Sequence, residues 1–471
     1  MFTLNNLKFS NRQISSIQYA SEVLLEMSVL QKATLDLLRC VGSNQGNRVT
    51  RLVHTRPDTP PPAKSSKEVF EREAKITAKN YAPLPVSIVR GKGVYMWDNE
   101  GKKYLDFLGG FATLNQGHCH PKILKTLHEQ SSILHHTSRA IYHDLLYQLG
   151  EYITNLFRYK RFIPMNTGVE GGETSIKLAR KWGYQVKKIP EGKAEVVFAA
   201  GNFWGRTLAA ISSSTDPTSY NEFGPHMPGY NIIPYNDVDA LEAKLKSNPN
   251  ICAFMVEPIQ GEAGAVVPDD GYLKKVRALC SQYNVLFIAD EVQTGLGRTG
   301  KLLAIHYEDV RPDIVILGKA LSGGLYPISA VLADDEVMGT LVPGTHGSTY
   351  GGNPLACKLA MTALDVILEE NMIENAYKMG EIFRSELRSR LSPDIVPVVR
   401  GKGLLNAIVL DKSILEVYDV CIKMKDAGLV TKPISNNIIR LSPALNITEQ
   451  ELREGLDIII NTINTMAAKK T

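Results

Sequence analysis

Residues 313–324 read DIVILGKALSGG, and the interpretation of the whole chain starts from this stretch. Four consecutive apolar residues, Ile314 to Leu317, are typical of a strand that is buried on both faces, as in a parallel sheet. Lys319 follows after a single glycine. Burial disfavours the charged form of a lysine, so such an amine loses its proton more readily than one in water. Because a neutral amine is a nucleophile for an aldehyde, the stretch predicts a covalent catalytic lysine.

Similar buried strands precede this stretch and alternate with helical segments. AEVVFAAG (194–201), ICAFMVEP (251–258) and VLFIADE (285–291) are short apolar runs of the same kind. VDALEAKLKSN (238–248) and DGYLKKVRALCSQYN (270–284) have the length and pattern of helices. This alternation predicts βαβ units and a parallel sheet.

Three of these predicted strands end on a residue that can carry charge: Glu257, Asp290 and Lys319. Ligands of open α/β sheets bind at the carboxyl ends of the strands, so the three side chains form a candidate site. The alternative is a buried salt bridge between Asp290 and Lys319. Such pairs stabilise poorly, because desolvation offsets much of their attraction.

A candidate anion site lies in MNTGVEGGETSIKLARKWG (165–183), where Thr167, Gly168 and Val169 precede an amphipathic helix. Free N–H groups and the helix dipole bind anions at such a position, although simple helix capping is the alternative. Pyridoxal phosphate needs an amine for its aldehyde, an acid for its ring nitrogen and donors for its phosphate. Lys319, Asp290 and this helix start supply all three.

The C-terminal part, from about residue 366, is richer in amphipathic helices, with examples at 363–370, 373–391 and 449–466. GLLNAIVL (403–410) and ALNI (444–447) are predicted to be strands of a smaller α+β lobe.

Length and composition are those of an ordinary globular protein with more than one lobe. The 471 residues are 44% hydrophobic and 22% charged. The sequence contains no run of 18 apolar residues, the length that would predict a transmembrane helix. The six cysteines are spread singly, which argues against a disulfide scaffold and fits a reducing compartment.

The net charge of +4 lies in the leader. Residues 1–57 hold seven of the 53 Lys and Arg residues and three of the 49 acidic residues, which leaves 46 of each sign in the body. A neutral body argues against a nucleic-acid-binding face. The basic leader predicts a mitochondrial presequence, with a disordered tail as the alternative; initiation at Met27 is also open.

Eight stretches between residue 67 and the C-terminus resemble the class III, fold-type I pyridoxal-phosphate aminotransferases. Within that class they are similar to the ornithine aminotransferases of the mitochondrial matrix, and GNFWGRT counts most, since acetylornithine and 4-aminobutyrate relatives usually have His in place of Trp204. The stretches are NYAPLPV, NQGHCHP, MNTGVEGGET, FAAGNFWGRT, VEPIQGEAG, FIADEVQTGLGRTG, GKALSGGLYP and HGSTYGGNPL.

The resemblance implies an α/β protein of fold type I, with a mostly parallel sheet in a large domain and a smaller α+β C-terminal domain. The expected divisions are a presequence and linker (1–58), an N-terminal segment (59–110), a large cofactor-binding domain (111–365) and a small domain (366–471).

The resemblance also assigns cofactor contacts. Lys319 would bind the aldehyde and later shuttle a proton, Asp290 would pair with the pyridine nitrogen, and Gln293 would bond the phenolic oxygen. The remaining implied contacts are ring stacking by Phe203, phosphate binding by Thr167, Gly168 and Val169, and Thr349 reaching the phosphate of the neighbouring subunit, which requires a homodimer. No metal is expected.

The implied reaction transfers the δ-amino group of ornithine to 2-oxoglutarate in two half-reactions, giving glutamate and glutamate-5-semialdehyde, which cyclises to pyrroline-5-carboxylate. Tyr81 and Arg206 would hold the carboxylate of ornithine. Arg440 would bind the α-carboxylate of the keto acid and Arg206 the distal one. Glu262 would neutralise Arg440 while ornithine reacts, because a buried unpaired charge costs roughly 3–5 kcal/mol.

One position departs from the family pattern. Ornithine aminotransferases typically have Tyr where this chain has Phe111, which follows Gly109 and Gly110. The missing hydroxyl predicts weaker exclusion of other ω-amines, such as 4-aminobutyrate.

The sequence leaves other functions open. Acetylornithine or 4-aminobutyrate aminotransferase activity is the neighbouring alternative, and a cofactor-binding protein without turnover is the alternative of another class. GLGRTG (295–300) matches a dinucleotide fingerprint, but no helix follows closely.

His118, Cys119 and His120, with His135 and His136, suggest turn and core positions more than a metal site. The polar loop 212–225 is expected to border the substrate channel.

Overall fold

The computed structural model describes residues 59–469, and the predicted presequence, with its alternatives, lies outside them. The α-helices are α1 (Ser66–Glu73), α2 (Gly109–Ala112), α3 (Pro121–Ile133), α4 (Asp144–Phe157), α5 (Gly168–Gln185), α6 (Leu208–Ile211), α7 (Pro217–Tyr220), α8 (Val238–Ser247), α9 (Tyr272–Gln282), α10 (Asp335–Met338), α11 (Pro354–Glu369), α12 (Met372–Arg390), α13 (Val417–Asp426) and α14 (Glu449–Ala467). The strands are β1 (Ile88–Lys92), β2 (Tyr95–Asp98), β3 (Lys103–Asp106), β4 (Arg161–Met165), β5 (Glu195–Ala199), β6 (Tyr230–Ile233), β7 (Ile251–Val256), β8 (Leu286–Asp290), β9 (Ile314–Leu317), β10 (Ser329–Ala333), β11 (Val398–Lys402), β12 (Leu405–Val409), β13 (Leu429–Val430), β14 (Lys432–Ser435) and β15 (Ile438–Leu441). Two 3-10 helices cover Ala304–Tyr307 and Lys319–Ser322.

A seven-stranded sheet forms the centre of the fold, in the order β4-β10-β9-β8-β7-β5-β6. The five strands from β9 to β6 pair in parallel, and β10 is antiparallel to both of its neighbours. The four strands predicted from their apolar runs are confirmed as β5, β7, β8 and β9. The parallel sheet is confirmed with them.

Side chains of the central strands alternate between two hydrophobic cores. In β9, Val315 and Leu317 belong to one core, whereas Ile314 and Ile316 belong to the other. Helix α5 covers the second face, where Gly171 lies so close to Ile316 that an added Cβ would be 2.7 Å from a methyl group. Burial on both faces explains why these strands are continuous apolar runs.

The C-terminal lobe contains an antiparallel sheet, in the order β11-β12-β15-β14, with α12 packed against β11 and β12 and α14 against α12. GLLNAIVL is confirmed as the strand β12. The prediction of a strand at ALNI is wrong, because this stretch is a turn. Its carbonyls at Leu445 and Ile447 accept from the Asn375 side chain, so these groups are satisfied without a neighbouring strand.

The N-terminal segment is joined to the C-terminal lobe through a third sheet, β1-β2-β3-β13. Strand β13 pairs in parallel with β3, and the Phe107 N–H donates to the Val430 carbonyl at 2.9 Å. From Lys64 onward the described chain forms one compact unit. The domain limits inferred from the sequence stay a prediction.

Two further observations concern the described residues alone. None of their helices has both the length and the apolar character needed to cross a membrane. Their five cysteines, Cys119, Cys252, Cys280, Cys357 and Cys421, are all free thiols.

Candidate active site

The candidate site lies at the carboxyl edge of three adjacent parallel strands. Glu257 directly follows β7, Asp290 ends β8, and Lys319 follows β9 after Gly318. Asp290 pairs with Ile316, three residues before the lysine. The structure therefore brings together the three strand-end residues identified in the sequence.

Lys319 begins a 3-10 turn and has a positive φ of 43°. Burial lowers the pKa of its amine to about 8, although Glu262, Asp290 and Glu257 act in the opposite direction. The amine makes no ion pair within 4.0 Å and no hydrogen bond to any described residue, so the alternative of an Asp290–Lys319 salt bridge is not found. A sizeable fraction of this amine is neutral, and nucleophilic, near neutral pH.

Asp290 and Glu257 are buried carboxyl groups with different pKa values. Burial raises the pKa of Asp290 to about 6, and its Oδ1 accepts from the Val292 N–H at 3.0 Å. Burial, followed by the charge of Asp290, raises the pKa of Glu257 to about 8. At pH 7 the negative charge therefore resides mainly on Asp290, where it can bind a protonated ring nitrogen.

Glu257 also holds two loops of the site in place. Its Oε1 accepts from the Phe203 N–H at 2.9 Å, and its Oε2 accepts from the Gly261 N–H at 3.1 Å. The first bond fixes an aromatic side chain beside the sheet edge, and the second fixes the loop that carries Glu262. Sequence reasoning noticed Glu257 but gave it no role.

The start of α5 leaves two N–H groups for an anion. Thr167 and Glu170 form a capping box, in which each side chain accepts from the backbone of the other. The N–H groups of Gly168 and Val169 have no acceptor among the described residues. A Cβ added to Gly318 would be 3.6 Å from the Gly168 Cα, so this helix start lies beside Lys319. Capping therefore leaves these two N–H groups available for an anion.

Arg440 is the buried cation of the site, with 2% of its surface exposed. Its Nη1 donates to Glu262 Oε1 at 2.5 Å and to Gln293 Oε1 at 3.0 Å. Although burial opposes it, the charge of Arg440 holds the pKa of Glu262 below its usual value. Nε of Arg440 is buried without a partner among the described residues. The guanidinium is neutralised, yet keeps a donor for a further acceptor.

Gln293 makes different contacts from those expected. Its amide nitrogen donates to Glu262 at 3.4 Å while its oxygen accepts from Arg440. Its assigned bond to the phenolic oxygen of the cofactor stays a prediction.

Phe111 is presented to Arg440 by an unusual backbone turn. Residues Gly109, Gly110, Phe111 and Ala112 all have φ between 56° and 65°, which makes α2 left-handed. Each non-glycine residue in this conformation costs roughly 1–2 kcal/mol. Asp106 holds the turn by accepting from the N–H groups of Leu108 and Gly109. The phenyl centroid lies 5.4 Å from the Arg440 guanidinium carbon.

Arg206 lies at the outer side of the site. Its guanidinium carbon is 5.4 Å from the Phe203 ring centroid, and its Nη1 donates to Ser219 Oγ at 2.8 Å. A cavity of about 510 Å³ is bordered by Phe203, Glu262 and residues 214–219. The loop 212–225 therefore borders a cavity that reaches the candidate site, and its role at a substrate channel stays a prediction.

Two predicted residues are not brought into this cluster. Tyr81 is 71% exposed, and its ring faces the Lys432 amine at 5.8 Å. Thr349 is exposed in the segment before α11. Neither side chain contacts Lys319, Asp290 or Arg440.

The histidines and the GLGRTG stretch, for which a metal site and a nucleotide site were not favoured, occupy ordinary structural positions. His118 bonds Asp106 at 2.7 Å, and His120 bonds Glu370 at 3.0 Å. Across residues 59–469, no group of three or more His, Cys, Asp or Glu side chains could hold a metal ion. GLGRTG lies in turns between β8 and β9, and the next element is a 3-10 helix.

Sequence reasoning missed several polar residues around the site. Asp106, Ser219 and Asn115 act through hydrogen bonds that were not predicted, although Asn115 begins the NQGHCHP stretch and Ser219 lies in the loop 212–225. The one available signal was Arg298, an arginine in the glycine-rich loop that was examined only as a nucleotide fingerprint.

Comparison with protein families matches residues 76–463 to the family described as Aminotransferase class-III. The mitochondrial ornithine aminotransferase of Drosophila ananassae is 62% identical over 401 residues, which cover 85% of this chain and 92% of the relative. The mitochondrial ornithine aminotransferase of Rattus norvegicus is 60% identical over 400 residues, with 85% and 91% coverage.

Solved structures that resemble this chain are also aminotransferases. The ornithine aminotransferase of Toxoplasma gondii, described with partial occupancy of PLP at its active site, superposes with a TM-score of 0.85 at 45% identity, covering 86% of this chain and 96% of that one. The acetylornithine aminotransferase of Elizabethkingia anophelis superposes with a TM-score of 0.78 at 49% identity, with 86% and 100% coverage.

The lowered pKa of Lys319 predicts how its reactivity depends on pH. Cofactor-free protein is treated with a small aldehyde and then borohydride, and labelling of Lys319 is measured by peptide mass spectrometry. Labelling should rise steeply from pH 7 to 9 with a midpoint near 8, because the neutral amine accumulates as pH passes its pKa of about 8. An ordinary exposed lysine, with a pKa of ~10.4, should keep gaining label well above pH 9. A Lys319 midpoint near 10 would contradict the assigned environment.

Proposed function

The chain belongs to the class-III aminotransferase family, and from this premise we propose that it transfers the δ-amino group of L-ornithine to 2-oxoglutarate. The products are glutamate and glutamate-5-semialdehyde, which cyclises to pyrroline-5-carboxylate. The observation that carries the proposal is the Arg440–Glu262 pair beside Lys319, since it suits a site that must accept two substrates of different charge.

The described residues fit pyridoxal phosphate, the cofactor of this enzyme class. Lys319 has a free amine for the aldehyde, Asp290 has an unpaired oxygen for the ring nitrogen, and Gly168 and Val169 have free N–H groups for the phosphate. When bound, the cofactor supplies an aldehyde that takes up the amino group and a ring that withdraws electrons from the substrate carbon. Phe203, held by Glu257, is placed to stack on that ring.

Two residues of the chain handle protons in this proposal. Lys319 holds the cofactor covalently between turnovers and, once released, moves a proton at the reacting carbon of the substrate. Asp290 keeps the proton on the ring nitrogen, because its carboxylate is ionised near pH 7.

Arg440 and Glu262 adapt the site to each substrate. While ornithine reacts, no substrate carboxylate opposes Arg440, and Glu262 neutralises it. When 2-oxoglutarate enters, its α-carboxylate replaces Glu262, and Arg206 binds the distal carboxylate. Arg206, with Tyr81, binds the carboxylate of ornithine in the other half-reaction. Tyr81 is exposed here, so this role requires its segment to close over the substrate.

The active unit is proposed to be a homodimer, in which Thr349 contributes to the phosphate site of the neighbouring subunit. Thr349 is exposed, and so are the large apolar side chains of Ile141, Tyr142 and Tyr350. The two segments meet where the His143 ring bonds the Gly352 carbonyl at 2.9 Å. Sedimentation equilibrium tests the assembly. Loss of cofactor affinity in Thr349→Ala tests the shared site, and a monomeric active enzyme would contradict both ideas.

Mitochondrial matrix localisation is also part of the proposal. The relatives are named as mitochondrial, and residues 1–57 carry the excess of basic residues. Import of the full chain into isolated mitochondria, compared with a chain that begins at residue 59, tests it. Equal import of both would exclude a presequence in this leader.

Half-reactions test the function directly. L-ornithine alone should remove the visible absorption of the bound cofactor, and 2-oxoglutarate should restore it. Lys319→Ala should show neither change and no cofactor mass after borohydride reduction. N-acetylornithine and 4-aminobutyrate serve as competing amines. A faster response to N-acetylornithine would favour the alternative enzyme, and no response to any amine would indicate binding without turnover.

Replacing Glu262 should separate the two half-reactions. Glu262→Gln removes the charge that neutralises Arg440, so the ornithine half-reaction should slow by about 10-fold or more, the scale of losing part of a buried pair. The 2-oxoglutarate half-reaction should change far less, since the keto acid brings its own carboxylate. Glu308→Gln, which removes a remote carboxylate, is the control. Equal losses in both half-reactions would argue against a switch.

Phe111 predicts the selectivity among amines. Phe111→Tyr should raise the ratio of kcat/KM for ornithine over 4-aminobutyrate, by up to roughly 10-fold, because a hydroxyl left unpaired by the wrong amine is costly. Tyr418→Phe, which removes an exposed hydroxyl on α13, should leave the ratio unchanged. An unchanged ratio in Phe111→Tyr would remove the hydroxyl from the explanation.

A further inference from the structure

Arg298 is a fully buried guanidinium whose hydrogen bonds all go to neutral acceptors. Its Nε and Nη2 donate to Asn115 Oδ1 at 3.1 and 2.6 Å. Its Nη1 donates to the carbonyls of Leu404 and Pro443, at 3.1 and 2.5 Å. No carboxylate within the described part of the chain lies within ion-pair distance of it. Burying a cation without an ionic partner is costly, and the four hydrogen bonds offset part of that cost.

The partners of Arg298 belong to three separate segments. Asn115 follows the left-handed turn that carries Phe111, Leu404 lies in the β11–β12 hairpin, and Pro443 follows β15. Backbone bonds reinforce the same junction, since the Leu404 N–H donates to the Arg298 carbonyl at 3.0 Å and the Leu445 N–H to the Asn115 carbonyl at 2.7 Å. A planar fork with five donors suits such a junction, whereas lysine offers a single donating atom.

This junction fixes the chain immediately beyond Arg440. Arg440 lies in β15, and the strand ends at Leu441. Arg298 then binds the Pro443 carbonyl, three residues after Arg440, and Asn115 binds the N–H of Leu445. The two guanidinium groups are close enough to interact: burial first, and then the charge of Arg440, lowers the pKa of Arg298 to about 9. The positive charge of Arg298 near Arg440 also favours the contact of Arg440 with a carboxylate.

We propose that Arg298 is a positioning residue for Arg440, which fixes the exit of β15 so that the Arg440 guanidinium meets the α-carboxylate of the keto acid. The inference rests on the proposed function, in which Arg440 receives that carboxylate. It assigns to the glycine-rich loop 295–300 a role in recognising the dicarboxylate substrate. The carboxylate of ornithine does not bind Arg440, and Glu262 still neutralises Arg440 in an Arg298 variant, so this half-reaction should be nearly independent of Arg298.

The test measures binding of glutarate, a non-reacting dicarboxylate of the same chain length as 2-oxoglutarate, to the holoenzyme by calorimetry. Arg298→Gln should raise the glutarate Kd and the KM for 2-oxoglutarate by about 10-fold or more, a typical effect of displacing a binding group by less than 1 Å. The single-turnover rate with ornithine should stay within about two-fold. Asn115→Ala removes the side-chain oxygen that accepts from Arg298 Nε and Nη2, and keeps the backbone bond to Leu445. It should give the same pattern more weakly, so it decides the question if Arg298→Gln fails to fold.

Arg384 provides a matched control. It is a buried arginine of α12 that donates to the Gly403 carbonyl, to Asn406 Oδ1 and to Glu381 Oε1, but does not reach Pro443. Arg384→Gln should lower the Tm and leave glutarate binding unchanged. Equal effects of the Arg298 and Arg384 variants on glutarate, or equal losses with ornithine and glutarate in Arg298→Gln, would overturn the positioning role.

A reference variant separates this inference from the proposed function. Arg440→Gln should abolish measurable glutarate binding. If it does not, the assignment of Arg440 fails. If Arg440→Gln weakens binding while folded Arg298→Gln and Asn115→Ala do not, Arg440 keeps its role and only the positioning role of Arg298 is overturned.

Discussion

The candidate site depends on one constraint, the desolvation of ionisable groups where three parallel strands end. Lys319, Asp290 and Glu257 would all be charged in water, but burial moves each pKa toward neutrality. The result is a partly neutral amine, one ionised carboxylate and one largely protonated carboxyl within the same small volume. The Lys319 amine can therefore act as a nucleophile, and the Asp290 carboxylate can bind a protonated ring nitrogen. A salt bridge between the two groups would prevent both roles.

A second buried pair solves a different problem. In the proposed function, Arg440 binds a substrate carboxylate in one half-reaction and meets no substrate carboxylate in the other. A guanidinium left alone in this environment would cost several kcal/mol, on the order of 3–5. Glu262 removes that cost in the resting structure, and the two side chains lie close enough to Gln293 to form one connected polar group. Under the proposed function, substrate selection is a competition between Glu262 and a substrate carboxylate for the buried Arg440.

Segments that are distant in the sequence supply the surroundings of this cation. The left-handed turn at Gly109–Ala112 brings Phe111 over it, and Asp106 holds that turn. The loop after β8 brings Arg298 to the chain just beyond it. Strand β13, from the C-terminal half, pairs with β3 near the N-terminus. These contacts join segments that lie before and after the central sheet in the described part of the chain.

The sequence by itself determined the parallel sheet and the positions of Lys319 and Asp290, because buried strands are continuous apolar runs and side chains at parallel strand ends share one edge. The start of α5 could also be predicted from the sequence, because Thr167 and Glu170 form a local capping pattern. The tertiary structure alone decided the ALNI turn, whose carbonyls are satisfied by the Asn375 side chain. It alone also decided the left-handed turn and the Arg298 junction. The ALNI turn and the Arg298 junction depend on hydrogen bonds between residues far apart in the chain, which no local propensity or spacing records. The left-handed turn combines the nearby Asp106 with a distant contact, in which the Ser442 hydroxyl donates to the Leu108 carbonyl at 3.0 Å.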